Sequence, residues 1–500
     1  MDAETSFTTA KQEQLDDEGA QLLGQEGVEQ DKYPKEYTVD AAIKKIGLGL
    51  FQLNAFNFAG TIWAVHSGVA LHSAVLSASW QCEFGLSNSE LALITTMYPI
   101  GSAVGSNIYG ILADRYGRKK VINIANYFVM LFGILSAIVP NYGWLLTTRF
   151  LIGMLIISGN QVTTYCVEFM PVRYRSPAIM LLNIYWTIGL CLTMLLSYLV
   201  IPNLGWRYFA FLSCLPIAMS MVYYWFAPTS PRYLIKKGSV SEAEKVLKRG
   251  ARMNRKSLPK GELVSDEVTK EGHTQGSKNR LKTQLKQSLQ IFNRKHIFTT
   301  LILSLIWFTS GFIYYGAVLI TQDIFIYDTH CQDATSNTSI TRTLCHPLTL
   351  SDYSAILITT FAELPGIIIT IFILELIGRK LTFCLEFILS GAPFFFLYIC
   401  TSHDRIVKTI ALFVTRGSIT AVFLVAFLYT SEVYPTEIRG TSLAILSTVA
   451  RFAVIISSFV SQVLLREQFL LTIGIFGAMG VATGVASLFL PVETKGRNIK

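Results

Sequence analysis

The sequence predicts an all-α integral membrane protein with twelve transmembrane helices in two pseudo-symmetric six-helix bundles. Three observations carry that prediction. Apolar residues make up 51% of the chain and charged residues only 15%, with a mean hydropathy of +0.45; a soluble domain carries about a quarter charged residues. The apolar residues fall in runs of about 20, the length that crosses ~30 Å of hydrocarbon. Lipid offers the backbone no hydrogen-bond partner, so each run must be helical. Segments 121–140 and 471–490 carry no charge at all, which excludes a large soluble enzyme with charged helix faces. Finally, short motifs of the first half return in the second half in the same order.

The elements follow in chain order. Residues 1–36 are polar and acidic (Asp16, Asp17, Glu18, Glu26, Glu29 and Asp31 among them) and have no basic segment leading into an apolar one. They read as a disordered cytosolic tail, not a cleaved signal. An N-terminal six-helix bundle spans 37–230. It opens on a short interfacial helix, Tyr37 to Lys45, and has helices near 47–78, 88–112, 120–140, 143–166, 176–201 and 205–227. A basic cytosolic loop, 231–296, comes next. Between Arg232 and His296 it holds 17 Lys or Arg against 6 Asp or Glu, a local +11 that exceeds the +9 of the whole chain. The C-terminal bundle spans 297–490, with helices near 297–320, 351–377, 381–401, 405–429, 437–464 and 467–490, and 491–500 form a cytosolic C-terminus.

Basic clusters at Arg115–Lys120, Arg173/Arg175, the central loop, Arg379/Lys380 and Arg439 mark the cytosolic side. Both termini are therefore expected in the cytosol. The positive charge is topological, and a nucleic-acid module with base-stacking aromatics is not expected. Five cysteines lie in apolar helices. Cys331 and Cys345 instead flank the sequon at Asn337 in a polar loop, which reads as lumenal or extracellular and glycosylated. Cys331–Cys345 is the candidate disulfide, with Cys82 as a rival partner on the same side. An intracellular vesicle membrane and the plasma membrane both fit.

The internal repeat rests on paired motifs. Asp114-Arg115-Tyr116-Gly117-Arg118-Lys119 after the second helix returns as Glu375-Leu376-Ile377-Gly378-Arg379-Lys380 after the eighth, 261 positions on. Glu168-x-x-Pro171-x-x-x-Arg175 returns as Glu432-x-x-Pro435-x-x-x-Arg439, 264 positions on. Arg149 and Arg416 also correspond. A duplicated six-helix unit is a hallmark of secondary transporters.

Gly110-x-x-x-Asp114-Arg115-x-Gly117-Arg118-Lys119 resembles the signature loop of the major facilitator superfamily, and the resemblance covers nearly the whole chain. Gly117 permits a tight turn. Asp114, Arg115, Arg118, Glu168 and Arg175, with Glu375, Arg379, Glu432 and Arg439 in the other half, are expected to form a charge latch that biases rocking of the two halves, the alternative being that they only anchor helix ends at the lipid headgroups. The segment Tyr37–Gln52, Gly205-Trp206-Arg207-Tyr208, Ser230-Pro231-Arg232-Tyr233, Glu363-Leu364-Pro365-Gly366 and Glu493-Thr494-Lys495-Gly496-Arg497 are similar to synaptic vesicle glycoprotein 2-related proteins and to the organic cation/anion transporter branch. Sugar porters share some of these pieces but usually carry a Gln-rich seventh helix, and Trp307–Gly316 has no Gln. Where the resembled group has an acid on the first helix, this chain has His66; Leu376 stands where an Arg is usual, and Thr229 where a Glu is usual.

Ionisable residues inside a membrane helix are costly and mark cavities or partners. The candidates are His66, His72, Arg149, Glu363, Arg416 and Arg451. Arg149 and Arg416 read as shared machinery near helix ends. Arg451, deep in the eleventh helix and without a duplicate on the fifth, occupies a place where the organic-ion relatives tend to be basic for anion carriers. The alternative is an internal ion pair with Glu363. His66 is the proton-coupling candidate. Asn160, Gln161, Trp186, Tyr314 and Tyr315 are further candidates to line the substrate cavity.

The expected function is secondary active transport of a small organic ion, an anion before a cation or zwitterion, by alternating access, with protons as coupling ion. A transport-inactive vesicle receptor or trafficking protein of the same fold is the rival. No phosphate-cradling Gly-Lys-Ser/Thr loop and no His/Cys metal spacing is present, so no enzyme activity, cofactor, metal or nucleic-acid partner is expected, only substrate and lipid bilayer.

Overall fold

The computed structural model describes residues 36–156, 159–264, 290–326, 348–398 and 405–495. Among them the chain is helical, with one isolated bridge between Tyr37 and Leu263. α1 (Val39–Ile46) leads into a first crossing made of α2 (Leu50–Ala70) and α3 (His72–Phe84). The second and third crossings are α4 (Asn88–Tyr116) and α5 (Arg118–Ala137). The fourth comprises α6 (Tyr142–Ile156) and α7 (Gly159–Phe169), and the fifth is α8 (Arg175–Leu204). α9 (Trp206–Leu212) and α10 (Leu215–Tyr223) form the sixth. Two short helices follow, α11 (Pro231–Lys236) and α12 (Val240–Met253). In the second half the crossings are α13 (Ile297–Ile326), α14 (Leu350–Phe361) with α15 (Glu363–Ile377), α16 (Arg379–Tyr398) and α17 (Arg405–Val433). The last two are α18 (Thr436–Phe459), prolonged by a π-helical turn and α19 (Leu465–Glu467), and α20 (Phe469–Ser487). Among the described residues nine segments are long and apolar enough to span a membrane; the first, second and sixth crossings are more polar or broken.

Local chemistry explains the breaks and ends. Pro365 has no N–H for the carbonyl of Phe361, and the eighth crossing is interrupted there at Ala362. Ser87 caps α4 in a reciprocal box with Glu90. Gly117 and Gly378, at the same place in the two halves, adopt φ of +89° and +84° between the second and third and the eighth and ninth crossings.

The repeat extends to packing. The first crossing lies along the fifth and the seventh along the eleventh. The second lies along the fourth and the eighth along the tenth. Small residues bring these helices together at matching points, Gly101 and Gly153 in the first half, Gly366 and Gly417 in the second. A Cβ at Gly153 would sit 2.9 Å from Tyr98 Cα, which is backbone and cannot swing away. Gly153→Val is therefore expected to abolish the monodisperse protein peak in fluorescence-detected size-exclusion chromatography, while Gly440→Val, whose Cβ meets nothing within 4 Å, leaves it intact.

Part of the expected central loop is folded. α11 and α12 pack on α1 through Val39, Ala42, Ile43, Ile46, Leu234 and Leu247. The predicted interfacial helix is thus buried beneath the linker. Asp40 accepts from Arg175 at 2.6 Å and also pairs with Arg232. Asn254 accepts from the Phe51 N–H at 3.0 Å and donates to Gln52 Oε1 at 2.7 Å, which ties the linker to the start of the first crossing.

The latch residues pair differently from the sequence expectation. Arg118 bonds Glu168, and Arg175 bonds Asp40 instead. Asp114 is 61% exposed and 3.9 Å from Arg118, and Arg115 lies over Tyr116. In the second half Arg379 grips Glu432 bidentately at 2.9 and 3.1 Å. Glu375 and Leu376 are exposed, and Arg439 has a buried Nε without an acceptor among the described residues. Each pair closes within its own half.

Glu493 accepts from the N–H groups of Arg379 and Lys380 at 2.9 and 3.0 Å. Burial raises its carboxyl pKa, but the backbone bonds outweigh this and hold it below the usual range. Its contribution to stability is thus present above the ordinary carboxylate pKa and is lost as pH falls through the lowered one. Thermal melts should separate wild type from Glu493→Gln at neutral pH and converge in acid. A gap that stays constant down to pH ~3 would remove this role.

Candidate functional site

Among the described residues, the two halves are hydrogen-bonded to each other in the middle and at one end. Call the end that carries Arg118, Arg379 and α12 the basic end. Among the described residues, the hydrogen bonds that cross between halves lie in the middle or at the opposite end. There Ser77 donates to Gln322 and Thr95 to Gln462, each at 2.8 Å. Arg466 reaches Asn88 at 2.5 Å, Gln81 at 3.0 Å and Asp323 at 2.9 Å, joining the first, second, seventh and eleventh crossings. Gln322 thus belongs to the closure between the halves. The buried π-helical turn holding Gln462 widens the ladder at this point. Toward the basic end no hydrogen bond joins the halves among the described residues, and Phe427, packed edge-on to Trp307 at 4.6 Å, is 41% exposed there.

The middle of the seam is aromatic. Trp186 donates to the Tyr314 hydroxyl at 3.2 Å, the most central bond between the halves. Trp63 lies 5.3 Å from Trp186, and Tyr315 lies 5.4 Å from Tyr314. Tyr185 donates to Asn57 at 2.6 Å. Gln161 is half-buried on α7; the side chain of Asn160 is outside the described residues, as are Cys331, Asn337 and Cys345. Cys82, the rival disulfide residue, is disulfide-bonded.

Arg451 is half-buried beside Tyr98 and Tyr315. It has no ion pair or hydrogen bond among the described residues, so its guanidinium N–H groups remain available at the seam. The pairing with Glu363 does not occur. Glu363, fully buried, accepts instead from Arg416 at 2.7 Å and from Tyr314 at 3.4 Å. Arg416 also donates to Thr360 at 2.7 Å. Arg149 and Arg416 are each 1% exposed and lie within the bundles, not at helix ends, because their neighbouring glycines let the helices close around them.

His66 is buried, and its Nε2 lies 2.8 Å from Asn126 Oδ1 inside the first bundle. It faces the third crossing and not the seam. His72 packs against Phe209 beside Arg149. Sequence reasoning passed over Glu386, a buried acid on α16 that accepts from Thr370 at 2.6 Å; an acid inside an apolar run was the available signal. Tyr98, one aromatic among many, carried none.

Comparisons with known proteins agree with this architecture. The family described as sugar (and other) transporter matches residues 46–500. A Caenorhabditis elegans relative, svop-1, is 36% identical over 465 residues, covering 93% of this chain and 87% of its own. The synaptic vesicle 2-related protein of Rattus norvegicus is 33% identical over 492 residues, covering 96% and 87%. A crystal structure of a D-xylose-proton symporter superposes with a TM-score of 0.68 at 17% identity, covering 90% of this chain and 100% of that one. A partially occluded inward-open form of the xylose transporter XylE from E. coli gives 0.67 at 17% identity, covering 90% and 99%. The duplicated helical unit, the signature loop and these matches agree: this chain is a multi-pass membrane transporter of the major facilitator superfamily, in its sugar (and other) transporter family with the synaptic vesicle 2-related proteins.

Proposed function

We propose that this chain carries a small organic anion by alternating access, with Arg451 as the cation that receives the substrate's carboxylate. The observation behind this reading is the free guanidinium of Arg451 at the seam, where Tyr98, Tyr315 and Trp186 supply flat apolar walls and hydroxyl groups. A guanidinium matches a carboxylate with two parallel N–H bonds. The competing cation reading requires Arg451 to be neutralised, and Glu363, the acid available for that, is engaged by Arg416.

Proton coupling is assigned to Glu363. It touches Tyr314, which receives the Trp186 N–H from the other half, so a change of charge at Glu363 is transmitted to the contact that closes the cavity. His66 has no such link. The positive-inside rule places the basic end, and both termini, in the cytosol, which makes the conformation open to the cytosol. The vesicle name of the relatives favours an intracellular vesicle membrane. Proteoliposomes tested with a panel of radiolabelled aromatic and aliphatic carboxylates should accumulate at least one of them, and faster under an inwardly directed proton gradient. Accumulation of organic cations with no carboxylate transported would overturn the substrate class.

A further inference from the structure

Arg149 and Arg416 hold the same place in the two halves and are equally buried, at 1% exposure, yet only one has a counter-charge. Arg416 has Glu363 and Thr360. The motif offsets of 261 to 267 residues map Glu363 onto positions 96–102, Thr-Met-Tyr-Pro-Ile-Gly-Ser, which contain no acid. Around Arg149 the described residues supply no carboxylate either. Its guanidinium carbon lies 4.7 Å over the ring of Trp80, which balances part of the charge. Two of its donors, Nε and Nη2, remain buried without an acceptor, and so does the indole Nε1 of the fully buried Trp80. The other polar groups facing it are His72, on the same helix as Trp80, and the free thiol of Cys214 from the sixth crossing. Neither supplies a negative charge.

An arginine stays charged at any physiological pH. A buried charge and buried N–H donors both require partners. Three unpaired donors and a fixed positive charge form a set made only of donors, and the ligand class that satisfies it is an anion. The surrounding side chains are 0–4% exposed, so the anion must be small.

We propose that Arg149 and Trp80 hold a chloride-sized inorganic anion between α3 and α6, a counter-ion that stands where Glu363 stands in the other half. This site lies inside the first bundle, apart from Arg451, and does not depend on what the protein transports.

The test uses the full chain purified in detergent, melted in sodium chloride or sodium bromide against sodium methanesulfonate, an anion without a carboxylate, at constant ionic strength. The expected result is a saturable rise in Tm of several degrees with either halide. Arg149→Gln should melt at the same temperature in all three salts. Should that variant fail to fold, Trp80→Phe, which keeps a ring beneath the guanidinium but lacks the N–H, should raise the half-saturating chloride concentration about tenfold. A Tm that is equal in halide and methanesulfonate, or that climbs linearly without saturating, overturns the site. So does an Arg149→Gln protein that keeps the saturable response, or a Trp80→Phe protein with unchanged half-saturation.

Discussion

Arg451→Gln is expected to lower organic-anion uptake by about thirty-fold to several thousand-fold, because removing one partner of a desolvated charge pair costs about 2–5 kcal/mol. The loss should appear at limiting substrate, since the proposed role of Arg451 is to bind substrate and it forms no ion pair or hydrogen bond within the described protein. The melting temperature should stay close to wild type for the same reason. Arg451→Lys keeps the charge but loses the planar fork, and should recover part of the uptake with a raised KM. Uptake unchanged in Arg451→Gln would remove the residue from the binding site. A large fall in Tm would instead reassign it to structure.

Glu363→Gln should have the opposite profile. The carboxylate faces Arg416 across 2.7 Å with both side chains shielded from solvent. Neutralising it leaves a buried guanidinium uncompensated, at a cost of about 3–5 kcal/mol. In a detergent melt that corresponds to a fall of about 5–10 °C. Replacing both members, as Glu363→Leu with Arg416→Leu, should restore most of the loss, because two apolar side chains avoid the desolvation that the pair must overcome. If the double variant melts as low as Glu363→Gln, the cost lies in packing beside Gly366 and Gly417 and not in charge. If Glu363→Gln still accumulates substrate in response to a pH gradient, the coupling role fails even where the stability result holds.

These two residues show where sequence reading reaches its limit. Glu363, Arg416 and Arg451 were all recognisable as ionisable groups inside apolar runs. Their partners were not, because a helical position does not reveal which of several neighbouring helices its side chain meets. The latch shows the same limit: Glu168 and Arg175 lie on one short motif, yet Arg118 and Asp40, brought in from elsewhere in the chain, take them as partners. His66 was legible as a titratable group, but its burial against Asn126 follows from how the first crossing is rotated in the bundle. A helix with apolar residues on every side carries no periodic signal for that rotation.

The sequence by itself determined the class of molecule, its two halves, the order of the crossings and the family. These follow from the thickness of the hydrocarbon layer, from backbone hydrogen bonding in lipid and from motifs repeated along one chain. Only the tertiary structure decided which charges are paired, that closure lies at the end holding Arg466, and that Arg451 is left open at the seam. Charge pairing is a matter of a few ångströms between helices far apart in sequence. In a low-dielectric interior those few ångströms separate a structural ion pair from a binding site.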